Sequence, residues 1–178
     1  LAARPGPFLS ELNRALIGIF KQSESPFFVT TLYCVTDIGR SQLRYANGGH
    51  PVPYLIRKSR PVVDRIRPEN FDPEPALGLI DHFHYSTCEH SLYPGDRIVA
   101  FTDGLFEVDD PDENQLGEPW LHQMVSENRG MPLDRLFDHL LEEVHRQSGS
   151  DEFDDDVCLV GVQIDESSQG GQPLLFED

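Results

Sequence analysis

Two groups of carboxylates stand where a strand would hold them still. The run Asp96-Arg97-Ile98-Val99-Ala100-Phe101-Thr102-Asp103-Gly104 is apolar and strand-forming until it stops at an acid followed by glycine. Downstream, Asp154-Asp155-Asp156 abuts a second apolar run, Val157-Cys158-Leu159-Val160-Gly161-Val162-Gln163-Ile164. Clustered carboxylates are hard oxygen donors, the usual ligands of Mg²⁺ or Mn²⁺. Two unit charges about 4 Å apart repel by roughly 4 kcal/mol at an effective dielectric of 20. A fold that brought both groups together would therefore do so around a cation. Taken singly, the same residues read as a solvated acidic loop and a turn aspartate, the common fate of charge runs. The residues alone leave both readings open.

Other candidates are weaker. Asp109-Asp110-Pro111-Asp112-Glu113-Asn114 has the look of a calcium loop. Counting from Asp110, however, the sixth position is Gln115 rather than Gly and the twelfth is Leu121 rather than Glu, so it reads as an exposed acidic loop. His82 and His84 would share one face of a strand, without a third ligand. His50 follows Gly48-Gly49 and is either a general acid or a hydrogen-bonding structural residue. Cys34, Cys88 and Cys158 form no Cys-x-x-Cys pair. They read as reduced core residues of a cytosolic protein rather than a disulfide or zinc framework.

The elements that must position these residues follow from periodicity. Pro7 opens a helix over 8–20, with Phe8, Leu9, Leu12, Leu16, Ile19 and Phe20 on its apolar face. Residues 27–36 are apolar on both faces and predict a central, doubly covered strand, paired antiparallel with 42–46 across a short turn. Strands are expected at 52–57, 61–66, 82–92 and 97–101, then helices at 118–128 and 133–147, and a last strand at 157–164, again apolar on both faces. The second of those helices carries one stripe, Leu133, Leu136, Phe137, Leu140, Leu141 and Val144. Strands covered on both faces need helices outside them, which predicts a layered α+β sandwich.

Composition narrows the partners. The 178 residues suit one domain, here 1–165, followed by a polar, mobile tail over 166–178. With 14 Lys and Arg against 31 Asp and Glu, the net charge of −17 repels nucleic acid and anionic membranes. No apolar run approaches a membrane span, and no signal peptide is visible. The start, Leu1-Ala2-Ala3-Arg4, lacks an initiator Met and reads as a piece of something longer.

Five segments taken in order carry a resemblance. They are Phe28-Val29-Thr30-Thr31-Leu32-Tyr33; Leu43-Arg44-Tyr45-Ala46-Asn47-Gly48-Gly49-His50-Pro51; Ala76-Leu77-Gly78-Leu79; Pro94-Gly95-Asp96 through Thr102-Asp103-Gly104-Leu105-Phe106-Glu107; and Asp154-Asp155-Asp156-Val157. Over 8–164 the chain closely resembles the bacterial PPM-type serine/threonine phosphatases, in the branch of stage II sporulation protein E and RsbU. That resemblance implies an αββα sandwich of two stacked antiparallel sheets flanked by helices. It implies hydrolysis of phosphoserine or phosphothreonine by a water activated by two Mg²⁺ or Mn²⁺ ions, with no phosphoenzyme and no catalytic side chain. Asp103 and Asp155 are the implied metal ligands, Asp156 the second choice, with Thr102, Gly104, Asn47 and His50 beside the site. Cys158 stands where the family has Thr or Ser, and Gly49 where Ala is more common.

The family's Gly-Asp strand and Asp-x-Ser-Gly-(His/Lys)-Gly segment do not occur in 1–178. The bridging acid is therefore expected upstream of Leu1, and this stretch alone is expected to bind metal weakly and to be inactive. The resemblance further implies a cytoplasmic output domain behind a regulatory domain such as a response-regulator receiver. Its partner would be a phosphorylated anti-sigma-factor antagonist, and a homodimer is allowed. The alternative is a PPM-like module that has lost catalysis and binds a sigma-factor regulator.

Overall fold

The structure is a computed structural model that describes residues 1–21, 27–67, 72–150 and 152–165. The tail expected over 166–178 lies outside the described residues. Two compact units divide the chain. The first holds 1–52 and 67–94 with Asp165, and the second holds 53–66 and 95–164. Among the described residues the fold is α+β, with two antiparallel sheets and three helices. No helix among them is long and apolar enough to cross a membrane.

In the first unit, helix α1 (Pro5–Phe20) begins on a proline, whose missing N–H would have had no helical partner in any case. Its first turn lies hard against another strand of chain. A Cβ on Gly6 would fall 2.3 Å from the Tyr85 carbonyl oxygen, and the Gly6 N–H donates to Thr87 Oγ1 at 2.9 Å. Leu9 and Ile17 are buried, and so is Asn13 between them. The Asn13 amide donates to the Ile80 carbonyl at 3.0 Å and accepts the Gly78 N–H at 2.8 Å, so its burial is fully compensated. The helix is thus rotated from the expected stripe, leaving Ile19 exposed. The cause is the amide, which sequence periodicity assigns to water.

The first sheet has the order β1 (Thr31–Asp37), β2 (Gln42–Gly48), β5 (Cys88–Ser91). Thr31 pairs with Gly48 and Asp37 with Gln42; Gln42 in turn pairs with Ser91 and Tyr45 with Cys88. Leu9, Ala46, Leu77 and Tyr85 form its core under α1. Two expectations are corrected here. Strand β1 is an edge strand, only half-buried, and Phe27, Phe28 and Val29 are exposed. The strand expected over 82–92 shortens to β5, because residues 79–82 turn and His82 takes a left-handed φ of +56°. His82 and His84 therefore share no strand face.

The second unit carries the sheet β4 (Val63–Arg65), β3 (Tyr54–Ile56), β6 (Arg97–Phe101), β7 (Leu159–Gln163), all antiparallel. Helices α2 (Gly117–Glu127) and α3 (Leu133–Ser148) pack against it. The α3 stripe packs as read: Leu136, Leu140 and Val144 are buried, and Leu133, Phe137 and Leu141 pack around them with Tyr54, Val99 and Phe101. Truncating one of the fully buried leucines to Ala would cost about 2–5 kcal/mol. Gly149, at φ +67°, ends α3 in a left-handed cap. Strand β7 is covered on one face, where Gly161 lies against Leu133 and Phe137, while Val160 and Val162 on the other are exposed. The expected double coverage of the last strand is therefore not found.

Candidate functional site

Strand β6 is anchored by Ile98, Val99 and Phe101, all buried. After Phe101 the chain leaves as extended Thr102 and enters a short 3-10 turn, Asp103–Leu105. The Asp103 carbonyl accepts the N–H groups of Phe106 at 2.9 Å and Glu107 at 2.8 Å. Leu105 is fully buried, so the Asp103 side chain, partly open to solvent, is held between two fixed points.

Thr102 joins this turn to the second acidic segment. Its backbone N–H donates to the Cys158 carbonyl at 3.1 Å. Its hydroxyl accepts the Cys158 N–H at 2.8 Å and donates to the Asp156 carbonyl at 2.9 Å. The β6–β7 ladder, which ends with Phe101 opposite Leu159, is thereby extended past the sheet. Gly104 permits the close approach. A Cβ there would lie 2.9 Å from the Asp156 oxygen and 3.1 Å from that of Asp155. Asp155 Oδ1 accepts the Asp156 N–H at 2.7 Å, which orients that carboxylate. The structure thus brings Thr102, Asp103, Gly104, Asp155 and Asp156 together. The residue sequence reading undervalued is Thr102, whose partners lie 54 and 56 residues away.

Asn47 and His50 belong to the first unit and are spent on their own turn. Asn47 donates to the His50 carbonyl and accepts the His50 N–H, both at 2.8 Å, and His50 Nδ1 lies 3.0 Å from the Pro51 carbonyl. Gly49 sits at φ +72°, where a Cβ would collide with Ala76. The 109–114 loop is self-contained too. Asp110 collects the N–H groups of Asn114 and Asp112 at 2.9 Å, and these bonds, that from Asn114 foremost, lower its pKa. The cysteine expectation is corrected: Cys34 and Cys158 are exposed and Cys88 is half-buried.

The donor set fits a hard divalent cation in kind, being carboxylate and carbonyl oxygen throughout. It falls short in number. Among the described residues no three Asp, Glu, His or Cys side chains gather as a metal-binding group.

Residues 1–165 match the family model described as Stage II sporulation protein E (SpoIIE). The chain is 26% identical over 125 residues to the phosphoserine phosphatase RsbU of Bacillus subtilis, a match covering 70% of this chain and 35% of RsbU. Among solved structures it resembles the SiaA-PP2C domain of Pseudomonas aeruginosa, with a TM-score of 0.74, 18% identity, and coverage of 91% of this chain and 61% of that one. It also resembles the phosphatase domain of the cell fate determinant SpoIIE from Bacillus subtilis, Mn presoaked, with a TM-score of 0.61, 20% identity, and coverage of 92% and 66%. At these identities the structural likeness shows the fold. The chain spans between 11% and 35% of the curated relatives it matches.

Proposed function

Because the chain belongs to the stage II sporulation protein E (SpoIIE) family, we propose that it is the phosphatase domain of a signalling protein, a PPM-type (PP2C) hydrolase of phosphoserine or phosphothreonine. The observation that carries this reading is the Thr102 stitch, which holds the Asp103 turn against the Asp155-Asp156 segment. Asp103 and Asp155 are the proposed metal ligands, with Asp156 the second choice of the later pair. A bound pair of Mn²⁺ or Mg²⁺ ions would supply an activated water and neutralise charge on the phosphoryl oxygens. The chain's own part is positional. Phe101 and Leu105 fix the Asp103 turn, Thr102 sets its distance from the later acids, and Asp155 is oriented by the Asp156 N–H. The remaining donors are proposed to come from outside residues 1–178, so this stretch alone would bind metal weakly and be inactive.

RsbU is by name a phosphoserine phosphatase, which supports a phosphorylated regulatory protein of the anti-sigma-factor antagonist class as substrate. The proposed setting is the cytoplasm, behind a regulatory domain of the same protein. The test is phosphate release from a phosphoserine protein by the full-length protein with Mn²⁺, alongside calorimetric Mn²⁺ binding. Asp103→Asn should lower turnover by roughly a hundredfold or more, since loss of an outer-shell partner alone reaches that size. Equal activity in both proteins would remove Asp103 from the site.

One residue favours a second reading: Cys158 stands beside the proposed ligands where the family has Thr or Ser. On that reading the domain binds a sigma-factor regulator without hydrolysing it. Tight Mn²⁺ binding to the full-length protein that is lost with Asp103→Asn would rule it out.

A further inference from the structure

The later acids sit in a segment that repels itself. Residues 151–156 hold five carboxylates and one apolar side chain, Phe153. Like charges packed so closely drive a chain outward unless something holds it. Thr102 grips the far end, through the Asp156 carbonyl and the Cys158 N–H. The near end needs a hold of its own.

His145, in the last turn of α3, supplies one. Its Nδ1 lies 2.9 Å from the Ser150 carbonyl. A carbonyl only accepts, so the ring carries its proton on that nitrogen. The same ring lies 4.6 Å from that of Phe153, centroid to centroid, tilted by 53°. Phe153 in turn packs, half-buried, against the core to which Leu140 and Val144 belong. Left-handed Gly149 turns the chain back, which brings Ser150 within reach of a side chain five positions earlier. Ser150 is itself a fixed point. Its N–H donates to Ser148 Oγ at 3.2 Å, and its hydroxyl donates to the Glu152 carbonyl and accepts the Glu152 N–H, each at 3.1 Å.

We infer, given the proposed metal role of these acids, that His145 is a positioning residue of the carboxylate centre: through Ser150 and Phe153 it sets the path that delivers Asp155 and Asp156 to the Asp103 turn. Chain length shows why the hold matters. With Phe153 seated and Asp156 stitched to Thr102, only three peptide steps lie between the two clamps, about 10 Å of chain at full extension. Asp155 cannot then swing far from Gly104. With the near end released back to Gly149, seven steps are free, about 23–25 Å. The five carboxylates would then spread, and Asp155 would have to be gathered in again each time a cation bound.

The test uses the full-length protein, its His145→Ala and His145→Phe variants, and Glu142→Ala on the exposed face of α3 as control. Mn²⁺ binding is followed by calorimetry, stability by urea unfolding, and amide hydrogen exchange at Cys158 in metal-free protein. His145→Ala should weaken Mn²⁺ binding by about tenfold or more, as for other groups that orient ligands. It should also speed Cys158 exchange by about tenfold, because the stitch to Thr102 frays once the segment is loose. Phosphate release at saturating Mn²⁺ should recover to within about twofold of wild type. His145→Phe keeps the ring contact and drops the donor, and should show smaller shifts of the same sign. Mn²⁺ affinity and Cys158 exchange that stay unchanged in His145→Ala, whatever its stability, would overturn the inference, as would equal shifts with Glu142→Ala. Mn²⁺ binding lost with Asp103→Asn but intact in His145→Ala would remove His145 and keep the proposed function. A protein that neither binds Mn²⁺ nor releases phosphate would refute the proposed function, and Cys158 exchange alone would then decide whether His145 holds the segment.

Discussion

Thr102 commits its hydroxyl to one neighbouring segment, accepting from the Cys158 N–H and donating to the Asp156 carbonyl. Thr102→Val keeps the shape and removes both bonds, leaving the Cys158 N–H and the Asp156 carbonyl without their partner. The expected cost is about 1–3 kcal/mol in urea unfolding, with Mn²⁺ affinity of the full-length protein reduced by about 10–100-fold. Thr102→Ser should restore both. A Val variant that unfolds earlier yet binds Mn²⁺ normally would make the stitch structural only. At this scale the sequence was half legible. An apolar run ending in acid and glycine announces a fixed carboxylate, so Asp103 stands out. The Thr102 hydroxyl does not, because its value lies in partners that only the fold brings near. The same holds for Asn13, which reads as a solvent residue until the carbonyl and amide that satisfy it come into view.

Helix α2 is fastened at its start by Glu118. Its carboxylate takes Arg65 Nε at 2.8 Å and Nη2 at 2.7 Å, and the Tyr54 hydroxyl as a third donor. Burial pushes this carboxyl up, but the Arg65 bonds, the Tyr54 hydroxyl and the charges of Arg65 and His122 pull harder. Its pKa therefore ends below the ordinary 4.5. Burial first, and then the carboxylate, push the Tyr54 phenol up, so Tyr54 remains a donor across the physiological range. A carboxyl depressed in the folded state contributes stability above its unfolded pKa and loses it as pH falls through the folded value. Glu118→Gln should thus cost about 1–2 kcal/mol at neutral pH, a figure discounted because both partners are about one-third exposed. The gap between variant and wild type should close as unfolding is measured progressively below pH 4.5. A gap independent of pH would mean that shape, and not charge, holds the helix. Among elements, α3 was the most legible, since a stripe at helical spacing has one way to be buried. Strands β1 and β7 were misread because an apolar run looks the same whether its two faces are covered or only one.

For the whole molecule, charge and exposed edges oppose each other. The net charge of −17 keeps copies apart at neutral pH, while β7 ends its sheet with Val160 and Val162 exposed. As pH approaches the isoelectric point near 4.6 the repulsion vanishes. Light scattering should then report growing self-association, which Val162→Lys should delay by placing a charge on the edge. Association insensitive to both pH and that substitution would point away from the strand edges. The α+β class was legible from the order of elements, whereas the division into two units was not, because it depends on which strands pair. That division has a consequence for synthesis. The units alternate along the chain, so a ribosome releases β3 and β4 before β5 has closed the first sheet, and β7, which completes the second, emerges last of the strands. The β3–β4 hairpin must therefore wait for β6 before it gains a third strand, and folding is governed by pairings distant in sequence.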